Sequence, residues 1–167
     1  MVILGIDPGY AIVGYGVIDF NGYDLKTIGY GAITTEANTR FDLRLNDIYN
    51  DCITIMDKYH PDVMSMERLY FTNNRTTGID VAQARGVILL AAVRSGIPIA
   101  EYTPLQVKQS ITGYGKAHKA QVMEMTKNIL KLKAVPRPDD TADALAIAVC
   151  HAHTANAAER MRKVVTL

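Results

Sequence analysis

The chain has 167 residues, 49% hydrophobic and 21% charged, a balance that supports a buried core and excludes a disordered or fibrous protein. With 18 Lys and Arg against 17 Asp and Glu, the formal net charge is only +1, so any basic patch for a polyanionic partner must be local. No apolar run is long enough to span a membrane and the opening residues read as a strand rather than a signal peptide, which makes the cytoplasm the expected location.

Val2–Asp7 is an apolar strand that ends on a carboxylate. Pro8-Gly9 turns the chain, Gly14–Phe20 returns as a second strand, and Asn21-Gly22 is a hairpin signal leading into a third strand, Leu25–Thr34. Leu45, Ile48, Cys52, Ile55, Met56 and Tyr59 share one face of a helix predicted over 41–59, which His60-Pro61-Asp62 ends. Val63–Glu67 is a fourth strand, again closing on a carboxylate. A polar loop tipped by Tyr70 and Phe71 runs to Thr77. The next helix, about 79–95, is apolar on every side, as a helix in the core or at a subunit interface would be, with Gly96 as its cap.

Ile97–Tyr102 is the fifth strand. Thr103-Pro104 reads as an N-cap followed by proline at the first helical position, opening a short helix to about Ile111 that Gly113-Tyr-Gly115 breaks. A helix over 119–132 and a link containing Pro136 and Pro138 lead to a last, nearly all-apolar helix over 141–158, with Asp140 and Asp143 at its start. Cys52 and Cys150 fall in helix interiors and read as small hydrophobes of a reducing compartment. With no repeat, low-complexity stretch or linker, residues 1–167 read as one domain. The order of elements predicts an α/β layered fold: a mixed five-stranded sheet flanked by helices, matching the ribonuclease H-like order.

The four carboxylates at element ends, Asp7, Glu67, Asp140 and Asp143, suggest a common pocket. Clustered carboxylates repel and lose hydration, so a divalent cation is their natural partner. Two Mg²⁺ ions about 3.5–4 Å apart can activate water and stabilise the leaving oxygen of a phosphodiester. Each residue alone also has a plain structural explanation: Asp7 closing the Pro8-Gly9 turn, Glu67 as a solvated strand end, and Asp140 and Asp143 answering a helix dipole. Cys150-His151-Ala-His153 is rejected as a metal site because positions two apart face different sides of a helix. Gly113-Tyr-Gly-Lys-Ala lacks the first glycine and the Ser or Thr of a phosphate loop.

Six segments in order resemble the RuvC family of Holliday junction resolvases: Gly5-Ile-Asp7-Pro-Gly-Tyr-Ala-Ile-Val-Gly-Tyr-Gly16, Met66-Glu67, Gln83-Ala-Arg-Gly86, Gln106-Val-Lys-Gln109, Gly113 through Lys119 followed by Gln121-Val122, and Asp140-Thr-Ala-Asp-Ala-Leu-Ala-Ile-Ala148. The resemblance implies that Asp7, Glu67, Asp140 and Asp143 are metal ligands for Mg²⁺, with two ions per subunit and Mn²⁺ as a substitute. The position of Asp140 varies within the family and can hold histidine. Asp139 reads as an N-cap or bystander. Lys108 and Lys119 match basic residues that act in DNA binding or catalysis, and Arg75 and Lys116 join them as phosphate contacts. Tyr70 stands where an aromatic, more often phenylalanine, stacks at the junction centre, with Phe71 as the alternative. The implied partners are four-way junction DNA, a second copy of the chain and the RuvA–RuvB branch-migration complex. A nucleotide-binding ATPase of the actin and sugar-kinase type also opens on Asp-x-Gly, but needs a second such lobe that this length does not hold. A junction binder without cleavage would not need the carboxylate set.

Overall fold

The computed structural model describes residues 1–69 and 75–165, and for side chains residues 1–69 and 78–157. In chain order the elements are β1 (Val2–Asp7), β2 (Ile12–Phe20), β3 (Leu25–Thr34), α1 (Phe41–Tyr59), β4 (Val63–Glu67), α2 (Arg75–Arg94), β5 (Ile99–Tyr102), α3 (Pro104–Thr112), α4 (Lys119–Ile129) and α5 (Asp139–Val165). The strands form one sheet in the order β3-β2-β1-β4-β5. β1, β2 and β3 are antiparallel, whereas β1, β4 and β5 are parallel. The mixed five-stranded sheet expected from the order of elements is therefore present.

Helices cover both faces. Alternate residues of a strand point to opposite sides. Leu4, Ile6, Val13, Val17, Met64 and Met66 pack with Ile48 and Cys52 of α1 and Ala84 and Ile88 of α2. Ile3, Ile18 and Val63 pack on the other side with Val107 of α3, Val122 of α4 and Leu145 through Cys150 of α5. Both cysteines are buried and free. The same alternation puts Gly5 and Asp7 of β1, and Ser65 and Glu67 of β4, on the α5 side. The buried Ser65 hydroxyl confirms this by donating to the Ile147 carbonyl at 3.4 Å.

Glycines decide how closely α5 approaches. A Cβ on Gly5 would lie 2.0 Å from the Ala144 carbonyl oxygen, and one on Gly14 would lie 2.0 Å from that of Asp140. Gly14 is also the register partner of Asp7. The bare backbone of β1 and β2 thus lets the first turns of α5 press against the strand that carries Asp7.

Several boundaries differ from the sequence expectation for identifiable reasons. β2 starts at Ile12 because β3 is long enough to pair with it, Ile12 facing Thr34. β5 starts at Ile99 because the Ile97 amide is committed to the Ala92 carbonyl at the end of α2, and Pro98 has no amide to give. α3 is closed at its start by a capping box between Thr103 and Gln106, with Pro104 in its first turn, and at its end by Gly113 in the left-handed region. α4 ends at Ile129, since Lys131 turns to φ 54° and the Leu132 amide bonds back to Lys127. α2 and α5 are longer than expected, opening at Arg75 and Asp139.

Candidate metal centre and strand cleft

Parallel pairing of β1 and β4 brings two carboxylates to one edge. Ile6 is in register with Met66, so Asp7 and Glu67, one residue further on, leave adjacent strands at the same level and on the same face. The carboxyl ends of parallel strands are where open α/β sheets commonly place their ligands. α5 crosses that face from its own N-terminus, and its first turns supply Asp140 and Asp143, three apart and therefore neighbours on the helix surface.

The electrostatics record the convergence. Burial pushes Asp7 from its ordinary 3.8 up to about 8, and the negative charges of Asp143, Glu67 and Asp140 add to the shift, with Lys119 opposing it. Burial and then Asp143 raise Glu67, while Lys108 and Lys119 pull it down. Asp143 is raised by burial against the hydrogen bond and charge of Lys119. Burial disfavours the Lys119 ammonium, but its bond to Asp143 and the fields of Asp143, Asp139 and Asp7 outweigh that cost and hold it above the ordinary lysine range. Asp143, Glu67 and Asp140 thus each raise the cost of a charge on Asp7, and positive charge relieves it.

Glu67 and Asp143 border a cleft of about 270 Å³ with Lys108 and Lys119 beside them and Val107, Val122 and Ala146 forming apolar wall. Asp7 and Asp140 are not among the residues lining it; Asp7 couples to Glu67 and Asp143 through their charge. The Lys119 ammonium lies 2.8 Å from Asp143 Oδ2 and 3.8 Å from Asp139 Oδ2. As placed, no three His, Cys, Asp or Glu side chains among the described residues stand close enough to hold one ion between them. The donor set nevertheless fits a hard divalent cation: all four groups are carboxylates, the choice of Mg²⁺ and related ions, and the other three all act on Asp7.

The remaining sequence expectations separate clearly. Lys108 reaches the cleft from α3 and Lys119 from the start of α4, whereas Lys116 is exposed on the intervening loop and does not line the cleft. Tyr70 and Phe71 lie outside the described residues, as does the side chain of Arg75. His151 and His153 engage different hydroxyls, Tyr102 at 2.8 Å and Ser110 at 3.1 Å, as their different helix faces require.

Two ionic groups escaped the sequence reading. Asp139 is no bystander: it is the first residue of α5 and pairs with both Arg137 and Lys119. Glu101 of β5 accepts a charge-assisted bond from Arg85 of α2 and lies 4.0 Å from Arg68 Nε, while the Arg68 amide bonds to the Tyr102 carbonyl at 2.7 Å. The residue directly after Glu67 is thereby tied to β5, whose Glu101 is in turn held by Arg85 of α2. Burial, and then the charge of Arg68, lower Arg85 from its ordinary value. Only the alternation of β5, which sends Glu101 to the α2 side and Tyr102 to the α5 side, could have signalled this pairing.

Comparison with known proteins bears on the family and the fold. The family model described as crossover junction endodeoxyribonuclease RuvC matches residues 3–151. A Brevibacillus brevis protein named crossover junction endodeoxyribonuclease RuvC is 56% identical over 152 residues, covering 91% of this chain and 92% of that protein. The Thermus thermophilus RuvC structure superimposes with a TM-score of 0.87 at 34% identity, covering 95% of this chain and 97% of that one. A structure of T. thermophilus RuvC in complex with Holliday junction substrate gives 0.85 at 32% identity, covering 93% and 95%. With nearly the whole sheet and the first half of α5 inside the matched region, the chain belongs to the RuvC family of crossover junction endodeoxyribonucleases.

Proposed function

We propose that the chain is a structure-selective endonuclease that resolves Holliday junctions by paired, symmetric nicks, through metal-assisted phosphodiester hydrolysis in DNA recombination and repair. The observation that carries this reading is the electrostatic convergence of Asp7, Glu67, Asp140 and Asp143 beside a cleft with two lysines. The T. thermophilus relative, whose structure includes a Holliday junction substrate, supports the choice of DNA.

Asp7, Glu67, Asp140 and Asp143 are the proposed ligands of two Mg²⁺ ions per subunit, with Mn²⁺ as a substitute. When bound, the ions supply a nucleophilic water and stabilise the leaving 3′-oxygen. The chain's own residues set the stage for that chemistry. Asp7, central in the set, holds its proton up to about pH 8 unless added positive charge draws it off. Glu67 and Asp143 present their carboxylates to the cleft from opposite elements, β4 and α5. Lys119 offsets negative charge that builds on the phosphate. Lys108 holds the strand as it enters, and Arg75 and Lys116 contact phosphates further out. Tyr70 or Phe71 stacks on an unpaired base at the junction centre, a contact worth about 1–3 kcal/mol.

Residues 1–167 act as one nuclease domain, and two copies act together. Ile79, Leu90 and Val93 are 56%, 53% and 65% exposed, and with Gln83 and Gly86 they form one stripe along α2. The opposite side of α2, through Ala84, Ile88, Ala91 and Ala92, is buried in the core. The helix is therefore not buried all round, and its free apolar stripe is the proposed two-fold contact, which presents two identical sites to the opposing strands. The RuvA–RuvB branch-migration complex is the proposed functional partner and the cytoplasm the proposed location. No helix among the described residues is long and apolar enough to cross a membrane.

Strand-resolved nick mapping on a synthetic mobile four-way junction tests this reading. Mg²⁺ should yield nicks on two opposing strands with 5′-phosphate and 3′-hydroxyl ends. Asp7→Asn should slow cutting by at least about 100-fold, the scale of removing one preorganised electrostatic group, while retaining junction affinity. Cutting that persists in EDTA, or an Asp7→Asn variant that cuts at the normal rate, would overturn it.

A further inference from the structure

Lys119 stands between two cavities. On one side is the cleft that Glu67 and Asp143 border, and on the other a groove of about 450 Å³ lined in part by Met123, Val135, Arg137 and Asp139. Its ammonium has a carboxylate toward each: Asp143 Oδ2 at 2.8 Å and Asp139 Oδ2 at 3.8 Å. Residues 139 and 143 are four apart on α5, one turn along the same face, so the lysine can pass from one to the other by a small swing. Asp139 is engaged on its second oxygen, Oδ1, by Arg137.

We propose that Asp139, oriented by Arg137, is a positioning residue that receives Lys119 from Asp143 when a divalent cation engages Asp143. This rests on the reading of Asp143 as a metal ligand. An ammonium in contact with a carboxylate oxygen and a divalent cation on the same carboxylate repel each other, so one must leave. A lysine released into water loses its ion pair, whereas one that moves to Asp139 keeps a partner. Arg137 partly neutralises Asp139 and fills one of its oxygens, so Asp139 serves the lysine rather than competing for the metal. The arrangement lowers the cost of cation binding without adding a ligand.

The test is calorimetric titration of the intact protein with Mn²⁺ alone, without DNA and without turnover. Asp139→Asn, which keeps a polar residue at the helix start, should weaken Mn²⁺ about threefold, within the range of an exposed ion pair. In a Lys119→Met background the same substitution should change the affinity by less than about 1.5-fold, because no lysine remains to be displaced. Asp139→Glu should restore most of the affinity. Equal weakening in both backgrounds would show a mere field effect of the lost charge and overturn the proposal, as would no weakening with Lys119 present. Asp143→Asn separates the two readings: it should abolish Mn²⁺ binding, and full retention would overturn the ligand assignment itself. If Asp143→Asn abolishes binding and Asp139→Asn leaves it unmoved, only the role of Asp139 fails. Thermal melts of each variant establish that the fold is intact.

Discussion

Asp7 is the residue on which most of the site's electrostatic tension falls. Its pKa of about 8, against an ordinary 3.8, means that the folded chain keeps a proton here that the unfolded chain releases well below neutrality. The folded state then binds more protons than the unfolded state between those values. The stability this group contributes is complete below pH 3.8 and is lost as pH rises through about 8. Scanning calorimetry in EDTA should therefore show Tm falling from pH 5 to pH 8. Asp7→Asn should flatten that fall and melt higher than the unsubstituted chain at pH 8. Mg²⁺ should raise Tm more at pH 8 than at pH 6, because the cation relieves a charge that is absent in acid. A Tm that rises with pH identically in both proteins would contradict the assignment. The carboxylate positions were legible in the sequence because each closes or opens an apolar element. The partners of Lys119 and Arg85 were not, because long side chains choose among carboxylates that only the folded packing brings near.

The element that makes the site is α5, and what lets it do so is the row of glycines beneath it. Gly14 faces the backbone of Asp140 so closely that a methyl group there would overlap a carbonyl oxygen. Gly14→Ala should cost about 1–3 kcal/mol of stability by overpacking against backbone that has little room to yield. It should also displace the first turn of α5 and weaken Mn²⁺ binding, whereas Gly22→Ala, at a surface turn whose φ of 100° strains a Cβ, should cost stability but leave metal affinity intact. Denaturant melts with Mn²⁺ titrations check both, and a Gly14→Ala variant with unchanged metal affinity would refute the role of close packing. Strand and helix types were readable from periodicity and from turn residues. Some termini shifted because neighbours decided them: β3 extended β2, and the end of α2 shortened β5; α2 and α5 began ahead of their apolar patterns.

At the scale of the whole molecule, the described residues combine a buried sheet with an apolar stripe on α2 that the core leaves exposed. The apolar run of α2 was visible in the sequence, but which half of it meets the core was not, since both halves carry the same kinds of side chain. Leu90→Glu should raise the dissociation constant of the proposed dimer by at least about 100-fold, since each of two leucines forfeits roughly 1.5–3 kcal/mol of burial. Light scattering after size-exclusion chromatography reads this, and a variant that stays dimeric at the same concentration would place the contact elsewhere. The ribonuclease H-like arrangement was legible because three meandering strands followed by strand-helix alternation leave few other sheets.

Anomalous scattering from crystals soaked in Mn²⁺ addresses the metal centre most directly. A peak should appear within about 2–2.3 Å of carboxylate oxygens of Asp7 and at least one of Glu67, Asp140 and Asp143, with the Lys119 ammonium moved off Asp143. A saturated crystal with no peak there, or with its peak at other ligands, would contradict the assignment of these carboxylates as the catalytic metal site.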